Sequence, residues 1–468
     1  MERYYLAIDI GASSGRHMLG HIEDGKMIQE EIWRFENGMK DREGSLCWDL
    51  DALFEEIKTG MKRCKELGKI PVSMGIDTWA VDYVLLDEKD QVLGKTYGYR
   101  DGRTQGVDED VYKIISEEEL YSRTGIQKQS FNTIYQLMAV KKNNPEHLKA
   151  AKNFLMLPDY FHFLLTGQKC SEYTNATSTQ LINAQTNDWD RELIERLGYP
   201  QEMFLPLSQP GTLVGSFTKE IEEEVGFSCE VVLPATHDTG SAVMALPGEG
   251  DKNLYISSGT WSLMGIENKT AICTEESRKR NFTNEGGYEY RYRYLKNIMG
   301  LWMIQSVRKE LENKYSFAEL CAMASRRSDF PSRVDVNDPV FLAPDSMIRA
   351  IREMCAKTGH PVPETPDELA AVVYESLSDS YRETAEEIEG LTGSHYNTIC
   401  IVGGGSNAEY LNRLTAKKSG RRVLAGPGEA TAIGNLMAQM IQKGEFDTLE
   451  QARRCVGTSF SIHEYMPE

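Results

Sequence analysis

The sequence predicts an α/β fold made of two similar halves. Short apolar runs typical of buried strands alternate with stretches in which apolar residues recur at helical spacing. The same opening occurs twice, over residues 4–22 and again over 253–266: a strand, a turn of small polar residues and a second strand. This repetition predicts an internal duplication.

The first half is predicted to hold several strands, one long early helix and a mainly helical middle. In chain order we expect a strand over 4–10, a small-residue turn over 11–15, a strand over 16–22 with the Asp24-Gly25 hairpin turn after it, a helix over 51–67, strands over 72–77 and 83–87, a mainly helical region over 111–200, and a strand over 231–235 that leads into a helix.

The second half is predicted to repeat the opening and then to end on a glycine turn and a helix. In chain order we expect strands over 253–257 and 261–266 around the turn 258–260, a long helix from about Pro366 to Leu391, a strand over 398–402, glycines at 403–405, and a helix from Ala408.

Glycine and proline cluster between the two halves, in Pro247-Gly-Glu-Gly-Asp-Lys252. This composition is typical of a linker. We therefore expect two domains, over residues 1–246 and 247–468.

The composition is that of a globular protein with an acidic surface. Of 468 residues, 52 are Lys or Arg and 71 are Asp or Glu, which gives a net charge of −19. Such a charge repels nucleic acid and anionic membranes, and no run reaches the roughly 20 apolar residues of a membrane span. The chain opens in a strand pattern without a leader, and its nine cysteines include no CxxC pair. We expect a cytoplasmic monomer or small homo-oligomer with reduced thiols that binds neither nucleic acid nor membranes.

Two small-residue turns are candidate phosphate sites. In Asp9-Ile-Gly-Ala-Ser-Ser-Gly-Arg16, backbone N–H groups can approach an anion, Arg16 offers positive charge, and Asp9 can reach a metal-bound water. Ser257-Ser-Gly-Thr260 is the same device in the second half. Each turn alone is equally typical of a plain hairpin. Because there is one such turn in each half, the pair predicts that the phosphates of a nucleotide are bound by both turns.

The glycines at 403–405 form a third candidate site, between a strand and a helix. Without side chains, a flat ring or a ribose can lie against the backbone at the helix start. The alternative is a sharp strand-to-helix turn with no ligand.

Asp238, in Ala235-Thr-His-Asp-Thr-Gly240, is the candidate general base. A carboxylate between a strand and a helix can take the proton of a hydroxyl that attacks phosphorus. The positive end of the helix is expected to keep this carboxylate ionised. The alternative is that Asp238 is only the N-cap of the helix.

Trp79, with Asp82, Asp101 and Arg103 near it in the sequence, suits a polyol ligand. Carboxylates and a guanidinium can hydrogen-bond hydroxyls while the indole packs against the apolar face of the sugar. The alternative is an ordinary strand end followed by a loop.

Together, these motifs resemble those of the FGGY carbohydrate kinases, nearly from end to end. The blocks that carry the resemblance are Asp9–Arg16, Gly75–Trp79, Tyr173–Thr177, His237–Thr239, Ser257–Met264, Leu295–Trp302 and Ile401–Gly405. The resemblance implies an actin-like (ribonuclease H-like) fold of two α/β domains around a cleft for ATP and sugar. It also implies phosphoryl transfer from ATP, with Mg²⁺, to a small-molecule ketose.

The resemblance further implies roles for single residues, with Asp238 as the catalytic base. The positions expected to bind ATP are Ala12, Ser13, Ser14, Gly15, Arg16, Thr260, Gln305 and Gly404. The positions expected to bind the substrate are Ala80, His237, Asp238, Thr239 and Asn297. Asp9 is expected to reach Mg²⁺ through water. Ala80 departs from the glycine of many relatives, and this departure bears on the sugar preference.

Three alternatives stay open: a kinase specific for L-fuculose or a ketopentose, an actin-like ATPase switch, and a sugar-sensing regulator. The acidic charge, and a chain that opens directly on the first strand, weigh against a DNA-binding regulator. Asp238 beside a polar loop of the kind that binds sugars weighs against a pure switch.

Overall fold

The computed structural model describes residues 2–247 and 252–467. Residues 248–251 of the predicted linker lie outside the described residues. Within the described ranges, no helix is both long enough and apolar enough to cross a bilayer. All nine cysteines are free thiols, and seven of them are buried.

The strands follow the alternation that the apolar runs predict. In chain order they are β1 (Tyr4–Ile10), β2 (Ser14–Glu23), β3 (Lys26–Glu36), β4 (Lys40–Asp41), β5 (Leu46–Cys47), β6 (Pro71–Thr78), β7 (Tyr83–Leu86), β8 (Asn153–Met156), β9 (Ser171–Glu172), β10 (Ile182–Asn183), β11 (Asp188–Trp189), β12 (Leu207–Ser208), β13 (Leu213–Ser216), β14 (Glu230–Val232), β15 (Leu254–Ser258), β16 (Trp261–Asn268), β17 (Phe282–Glu285), β18 (Tyr292–Met299), β19 (Thr398–Val402), β20 (Arg422–Ala425) and β21 (His463–Tyr465).

The helices lie between these strands, with the longest near the end of the chain. They are α1 (Leu50–Glu66), α2 (Asp108–Tyr112), α3 (Glu117–Thr124), α4 (Thr133–Asn143), α5 (Pro145–Ala150), α6 (Leu157–Thr166), α7 (Tyr173–Thr177), α8 (Arg191–Leu197), α9 (Lys219–Val225), α10 (Asp238–Met244), α11 (Glu275–Lys279), α12 (Trp302–Glu310), α13 (Phe317–Ser325), α14 (Met347–Lys357), α15 (Pro366–Thr392), α16 (Glu409–Ser419), α17 (Ala430–Gln442) and α18 (Leu449–Ser459).

The first sheet has six strands in the order β13-β14-β6-β1-β2-β3. β14, β6 and β1 run parallel, whereas β2 and β3 continue antiparallel. Six of the seven residues of β1 are buried, because a central strand covered on both faces buries both sets of side chains. Leu53, Ile57 and Met61 of α1, apolar at helical spacing, pack into the same core.

The second sheet repeats the arrangement, which confirms the predicted duplication. It has seven strands in the order β17-β18-β16-β15-β19-β20-β21. β15 pairs antiparallel with β16 and parallel with β19, and β19 pairs in parallel with β20. β1 has the same set of neighbours in the first sheet: one antiparallel hairpin partner and two strands parallel to it.

The chain divides into two compact units, each assembled from separate stretches. The first unit contains Met1–Ala245, Asn268–Tyr294 and Thr431–Ser459, and the second contains Leu246–Glu267, Leu295–Ala430 and Phe460–Glu468. The predicted domains over 1–246 and 247–468 are continuous segments, and that division stays a prediction.

Most predicted elements differ from the observed ones by one or two residues at their ends, and two of the differences lie beside candidate site residues. β14 ends at Val232, three residues before the predicted end, and the chain continues irregularly to Asp238. The helix expected from Ala408 begins at Glu409, after a 3-10 turn over Gly404–Asn407. In both places polar and small residues follow the strand, and they leave the backbone free to turn.

A close approach between α10 and α17 seats the helix that begins with Asp238. At Gly434 of α17, a Cβ atom would lie 1.7 Å from the carbonyl oxygen of Ser241 in α10. Only glycine permits this distance, so the start of α10 is fixed against a second helix of the same unit.

We expect Gly434→Ala to lower the free energy of unfolding by about 1–3 kcal/mol, because the added methyl group forces the two helices apart. Urea denaturation of the intact chain measures this change. Gly457→Ala is the matched control, since Gly457 is exposed on α18 and no atom lies within 4 Å of its Cβ position. There, alanine should stabilise the helix by about 0.5–1 kcal/mol. Equal losses in both variants would contradict a close contact at Gly434.

Candidate active site

Three parallel strands of the first unit bring polar residues to one edge of their sheet. β1 and β6 are in register, so Asp9 lies opposite Asp77. The next residue, Thr78, forms a parallel bridge with His237, which directly precedes Asp238. Because the carboxyl ends of parallel strands form the usual binding edge of an α/β sheet, the three aspartates meet where a ligand is expected.

The turn between β1 and β2 presents unpaired backbone N–H groups. Two carbonyls of the turn accept hydrogen bonds from Asn37. Its side-chain Nδ2 donates to the Gly11 carbonyl at 2.8 Å, and its backbone N–H donates to the Ser13 carbonyl at 3.0 Å. The N–H groups of Ala12 and Ser13 have no hydrogen-bond partner within the part of the chain that the structure describes. Such groups suit an anion.

The remaining turn residues open β2. A Cβ atom at Gly15 would lie 2.1 Å from the Phe35 ring, so glycine is needed there for packing. Ser14 beside it is half-buried. Arg16 pairs with Asp9: its Nε and Nη2 lie 3.0 and 2.8 Å from Oδ2. This ion pair ties the guanidinium to the carboxylate at the sheet edge.

Asp77 is fully buried and has one unpartnered carboxyl oxygen. Its Oδ2 accepts a hydrogen bond from Asn435 Nδ2 at 2.6 Å, whereas Oδ1 has no hydrogen-bond partner among the described residues. Burial raises the pKa of Asp77 well above its usual range, and the charge of Asp9 raises it further. A carboxyl group in this position must hold a proton or lie beside a cation.

Asp238 is the first residue of α10, and the cap position belongs to His237. The alternative interpretation of Asp238 as an N-cap is therefore wrong. Its Oδ1 accepts hydrogen bonds from the N–H and the hydroxyl of Thr239, at 2.6 and 3.1 Å. Its Oδ2 has no hydrogen-bond partner in the described ranges, and the side chain is 32% exposed. The carboxylate therefore has one engaged oxygen and one free oxygen.

The desolvating surroundings of Asp238, and then the charge of Asp9, raise the pKa of Asp238 to about 7. We expected the helix end to keep this group ionised, but the nearby carboxylate and the loss of solvent outweigh that effect. A base with a pKa near the working pH can both accept a proton and release it.

His237 is buried among charged groups. Its Nδ1 lies 2.9 Å from Arg293 Nη2 and 3.4 Å from Glu285 Oε2, and its Nε2 lies 3.5 Å from Asp238 Oδ1. Burial, and then the positive charge of Arg293, lower the pKa of His237 well below its usual range. The imidazole is therefore neutral at neutral pH.

Ala80 lies half-buried after β6, at a strained turn. The N–H of Asp82 donates to the Ala80 carbonyl at 2.9 Å, and Val81 between them has a φ of +68°. This region is rare for a β-branched residue. Two hydroxyls hold the turn: Ser178 Oγ accepts from the Val81 N–H at 3.2 Å, and Thr133 Oγ1 donates to its carbonyl at 2.7 Å.

The candidate polyol residues are bound within the chain. Asp82 accepts hydrogen bonds from Trp48 Nε1 at 2.6 Å, Trp79 Nε1 at 2.9 Å, the Tyr99 N–H at 3.0 Å and Gln136 Nε2 at 3.0 Å. Asp101 accepts from the N–H of Arg103 at 3.0 Å, and Arg103 donates to Gln136 at 2.6 Å. These contacts support the alternative interpretation of an ordinary strand end and loop.

In the second unit, the turn between β15 and β16 packs against the start of α12. The N–H groups of Leu301 and Trp302 donate to the carbonyls of Gly259 and Thr260, both at 3.1 Å. A Cβ atom at Gly300 would lie 2.8 Å from the Thr260 carbonyl oxygen, so glycine is required there. The exposed Thr260 is thus held from behind by backbone contacts.

The glycines at 403–405 pack against the same turn. A Cβ atom at Gly405 would lie 1.9 Å from Ser258 Oγ, whereas Gly404 is exposed with no atom near its Cβ position. Gln305 lies half-buried in α12, and Asn297 lies half-buried in β18. The structure therefore brings Thr260 and the glycines at 403–405 to one turn, and α12, which carries Gln305, begins beside that turn.

Sequence reasoning missed the buried charges of the first unit. Glu285 lies in β17, a short strand that carried no motif, and Arg293 lies in β18 just before the Leu295–Trp302 block. Asp77 lay in a recognised block, but its part in the site was missed. The available signal was the repeated Ile-Asp pair, since Ile76-Asp77 matches Ile8-Asp9.

Two family models cover most of the chain. The N-terminal domain of the FGGY family of carbohydrate kinases matches residues 4–245, and the C-terminal domain of that family matches residues 254–442. The chain belongs to the FGGY family of carbohydrate kinases. As an FGGY kinase it uses ATP to phosphorylate a small-molecule sugar.

Several rhamnulokinases are similar to this chain over nearly their whole length. A rhamnulokinase of Halalkalibacterium halodurans is 54% identical over 99% of this chain and 98% of its own. A rhamnulokinase of Oceanobacillus iheyensis is 50% identical with the same coverage. A rhamnulokinase of Bacillus subtilis is 43% identical over 99% of this chain and 95% of its own.

Solved structures of other sugar kinases share the fold. A gluconate kinase from Lactobacillus acidophilus superposes with a TM-score of 0.80 at 16% identity, covering 100% of this chain and 94% of the other. A xylulose kinase from the same organism has a TM-score of 0.79 at 15% identity, with the same coverage. These likenesses confirm the predicted actin-like fold.

We expect kcat/KM for the sugar to rise with pH to a plateau, with a midpoint close to 7. A general base must be ionised to act, and the pKa of Asp238, raised to about 7, leaves it protonated below that pH. Initial rates at low sugar concentration between pH 5.5 and 8.5 measure this profile. A flat profile over that range would contradict the assignment of Asp238 as the base.

Proposed function

We propose that the chain transfers the γ-phosphoryl group of ATP to the C1 hydroxyl of L-rhamnulose, giving L-rhamnulose 1-phosphate and ADP, as a step of L-rhamnose catabolism. The observation that carries this proposal is the identity of 54% and 50% to two rhamnulokinases over 99% of the chain. The resemblance carried by the blocks Tyr173–Thr177 and Leu295–Trp302 implies the same acceptor.

Asp238 is the group that would take the proton. The sugar O1 attacks the γ-phosphorus, its proton passes to Oδ2, and ADP leaves. Support comes from the two oxygens: Oδ1 already accepts two hydrogen bonds from Thr239, so Oδ2 is the one that can receive a proton. Thr239 holds the carboxylate in one orientation, which helps because positioning supplies much of the catalysis in phosphoryl transfer.

The phosphates of ATP would bind the unpaired N–H groups of Ala12 and Ser13, with Ser14, Gly15 and Arg16 beside them. In the second unit, Thr260, Gln305 and Gly404 would contact the nucleotide. The sugar would contact Ala80, His237, Thr239 and Asn297. Gly15, His237 and Thr239 are buried, and the other nine positions are at least partly exposed, as contact with a ligand requires.

The acidic edge of the sheet fits Mg²⁺. Oxygen ligands suit this ion, and the unpartnered Oδ1 of buried Asp77, opposite Asp9, needs a proton or a cation. No cluster of three or more ligating side chains occurs within the residues that the structure describes, so Asp9 and Asp77 would hold the ion partly through water. When bound, Mg²⁺ offsets charge that develops on the phosphoryl oxygens.

We expect L-rhamnulose to give a kcat/KM about 10-fold or more above those of L-fuculose, D-xylulose and glycerol, because a sugar with its hydroxyls in another arrangement leaves polar groups of the site without partners. A coupled assay of ADP release over this panel measures the ratio. If L-fuculose or a ketopentose is the best substrate, the chain is a kinase for that ketose, and the proposed acceptor is wrong.

We expect Asp238→Asn to lower kcat by about 10²–10⁴-fold while KM for ATP is unchanged, because the amide keeps the size but cannot accept the proton. Steady-state kinetics and a thermal melt of the same preparation measure both effects. Asp49→Asn is the matched control, since Asp49 caps α1 through a hydrogen bond to the Ala52 N–H and asparagine caps equally well. A near-normal kcat in Asp238→Asn would leave the reaction without its base.

A further inference from the structure

The imidazole of His237 is held by a buried arginine. Arg293 is fully buried in β18, and its Nη2 lies 2.9 Å from His237 Nδ1. Its Nε donates to the Gly286 carbonyl at 3.1 Å, and Glu285 Oε2 lies 3.1 Å from the same Nη2. Both charged residues therefore meet the histidine at one nitrogen.

These distances fix where the imidazole carries its proton. A guanidinium has only donors, so the nitrogen 2.9 Å from it must accept. Nδ1 of His237 is therefore unprotonated, and the single proton of the neutral ring lies on Nε2. That nitrogen lies 3.5 Å from Asp238 Oδ1, so its N–H faces the carboxylate oxygen that Thr239 already engages.

The opposite arrangement fits poorly. A proton on Nδ1 would point at Glu285 Oε2 at 3.4 Å, but it would also face an N–H of Arg293 at 2.9 Å. Two donors at that separation repel each other. Among the described residues, the charged groups that face His237 are Arg293 on β18, Glu285 on β17 and Asp238 on α10, and of these only Arg293 lies within ordinary hydrogen-bond distance.

The backbone of His237 is fixed independently of its ring. Its N–H donates to Thr174 Oγ1 at 3.4 Å, and that hydroxyl donates to Glu172 Oε2 at 2.6 Å. Glu172 also accepts from the N–H and hydroxyl of Thr236, at 3.1 and 2.7 Å. With the main chain held by Glu172, the contact with Arg293 decides the orientation and tautomer of the ring.

Within the described ranges, one donor group of the Arg293 guanidinium is left without a hydrogen bond. Its Nη1 is buried without a hydrogen-bond partner among the described residues. An unsatisfied buried donor costs stability. An arginine kept at that cost beside the site is expected to serve the site rather than the fold.

We propose that Arg293 is a positioning residue that holds His237 as the neutral tautomer protonated on Nε2. In that tautomer His237 directs an N–H toward Asp238 Oδ1 and leaves Oδ2 to receive the proton of the sugar hydroxyl. The catalytic consequence rests on the proposed function, but the tautomer itself does not.

Nitrogen NMR of the intact chain, labelled with ¹⁵N in its histidine rings, tests the tautomer directly. Loss of one signal set in His237→Gln assigns the resonances of His237. We expect the shifts of a neutral ring with its proton on Nε2, unchanged from pH 8 to below pH 5.5. A proton on Nδ1, or titration near the ordinary histidine pKa of about 6.5, would overturn the proposal.

Arg293→Met tests the cause. Without the guanidinium, we expect the proton to move to Nδ1, facing Glu285, or the ring to become charged, and we expect kcat to fall by up to about 100-fold with KM for ATP unchanged. Arg421→Met is the control: Arg421 is also buried and pairs with a carboxylate, Glu389 at 2.8 Å, in the second unit. It should leave the signals of His237 unchanged.

The outcomes separate the two proposals. Unchanged His237 signals in Arg293→Met would overturn the role of Arg293 even if the chain phosphorylates L-rhamnulose. The expected signals in a chain that phosphorylates none of the ketoses would support the tautomer and overturn only the proposed function. If Arg293→Met does not fold, the spectrum of the unaltered chain still decides, since a proton on Nδ1 there excludes the proposal.

Discussion

Three aspartates lie close together at one edge of the buried sheet of the first unit, and their proximity determines the electrostatics of that edge. Asp9, Asp77 and Asp238 meet there because three parallel strands end side by side. Three carboxylates that are short of solvent cannot all be ionised without compensation. Asp77 therefore has a strongly raised pKa, Asp9 pairs with Arg16, and Asp238 has a pKa near 7. Loss of solvent, and then the charge of Asp9, raise the pKa of Asp238 enough to make it a base suited to neutral pH.

In Asp77 and Asp238, hydrogen bonds from neighbouring residues engage one carboxyl oxygen and leave the other available. Asn435 engages one oxygen of Asp77 and leaves the other open, and Thr239 does the same for Asp238. Asn435 is itself held by Gln439 of α17, whose Nε2 donates to its Oδ1 at 2.8 Å. The helix that approaches α10 closely at Gly434 thus also organises the acidic edge. Packing and chemistry in this unit depend on the same helix.

The duplicated halves use one backbone device for different chemistry. The hairpin of the first half is Ile8-Asp-Ile-Gly-Ala12, and that of the second is Ile256-Ser-Ser-Gly-Thr260. Serine replaces the aspartate in the second hairpin, and close glycine contacts replace the ion pair. The acidic cluster therefore has no counterpart at the second hairpin, which offers hydroxyls and bare backbone.

Local patterns in the sequence were enough to predict the fold and the small-residue turns. Alternating strands and helices, the Asp24-Gly25 hairpin and the repeated opening depend on neighbours in sequence, and the structure confirms them. The contacts of Asp82 could not be predicted from the sequence, because its partners Trp48 and Gln136 are distant from it along the chain. The raised pKa of Asp238 depends on tertiary burial and on Asp9, and the tautomer of His237 depends on Arg293. These contacts join residues that are far apart in the sequence, so no local pattern predicts them.

Direct titration of Asp238 is the measurement that tests the central claim most closely. Carboxyl ¹³C NMR of the aspartate-labelled chain, assigned with Asp238→Asn, follows its ionisation with pH. The account predicts a midpoint near 7, and a lower midpoint in Asp9→Asn, because the charge of Asp9 contributes to the raised pKa. A midpoint near the ordinary aspartate value of about 3.9, unchanged by Asp9→Asn, would contradict it.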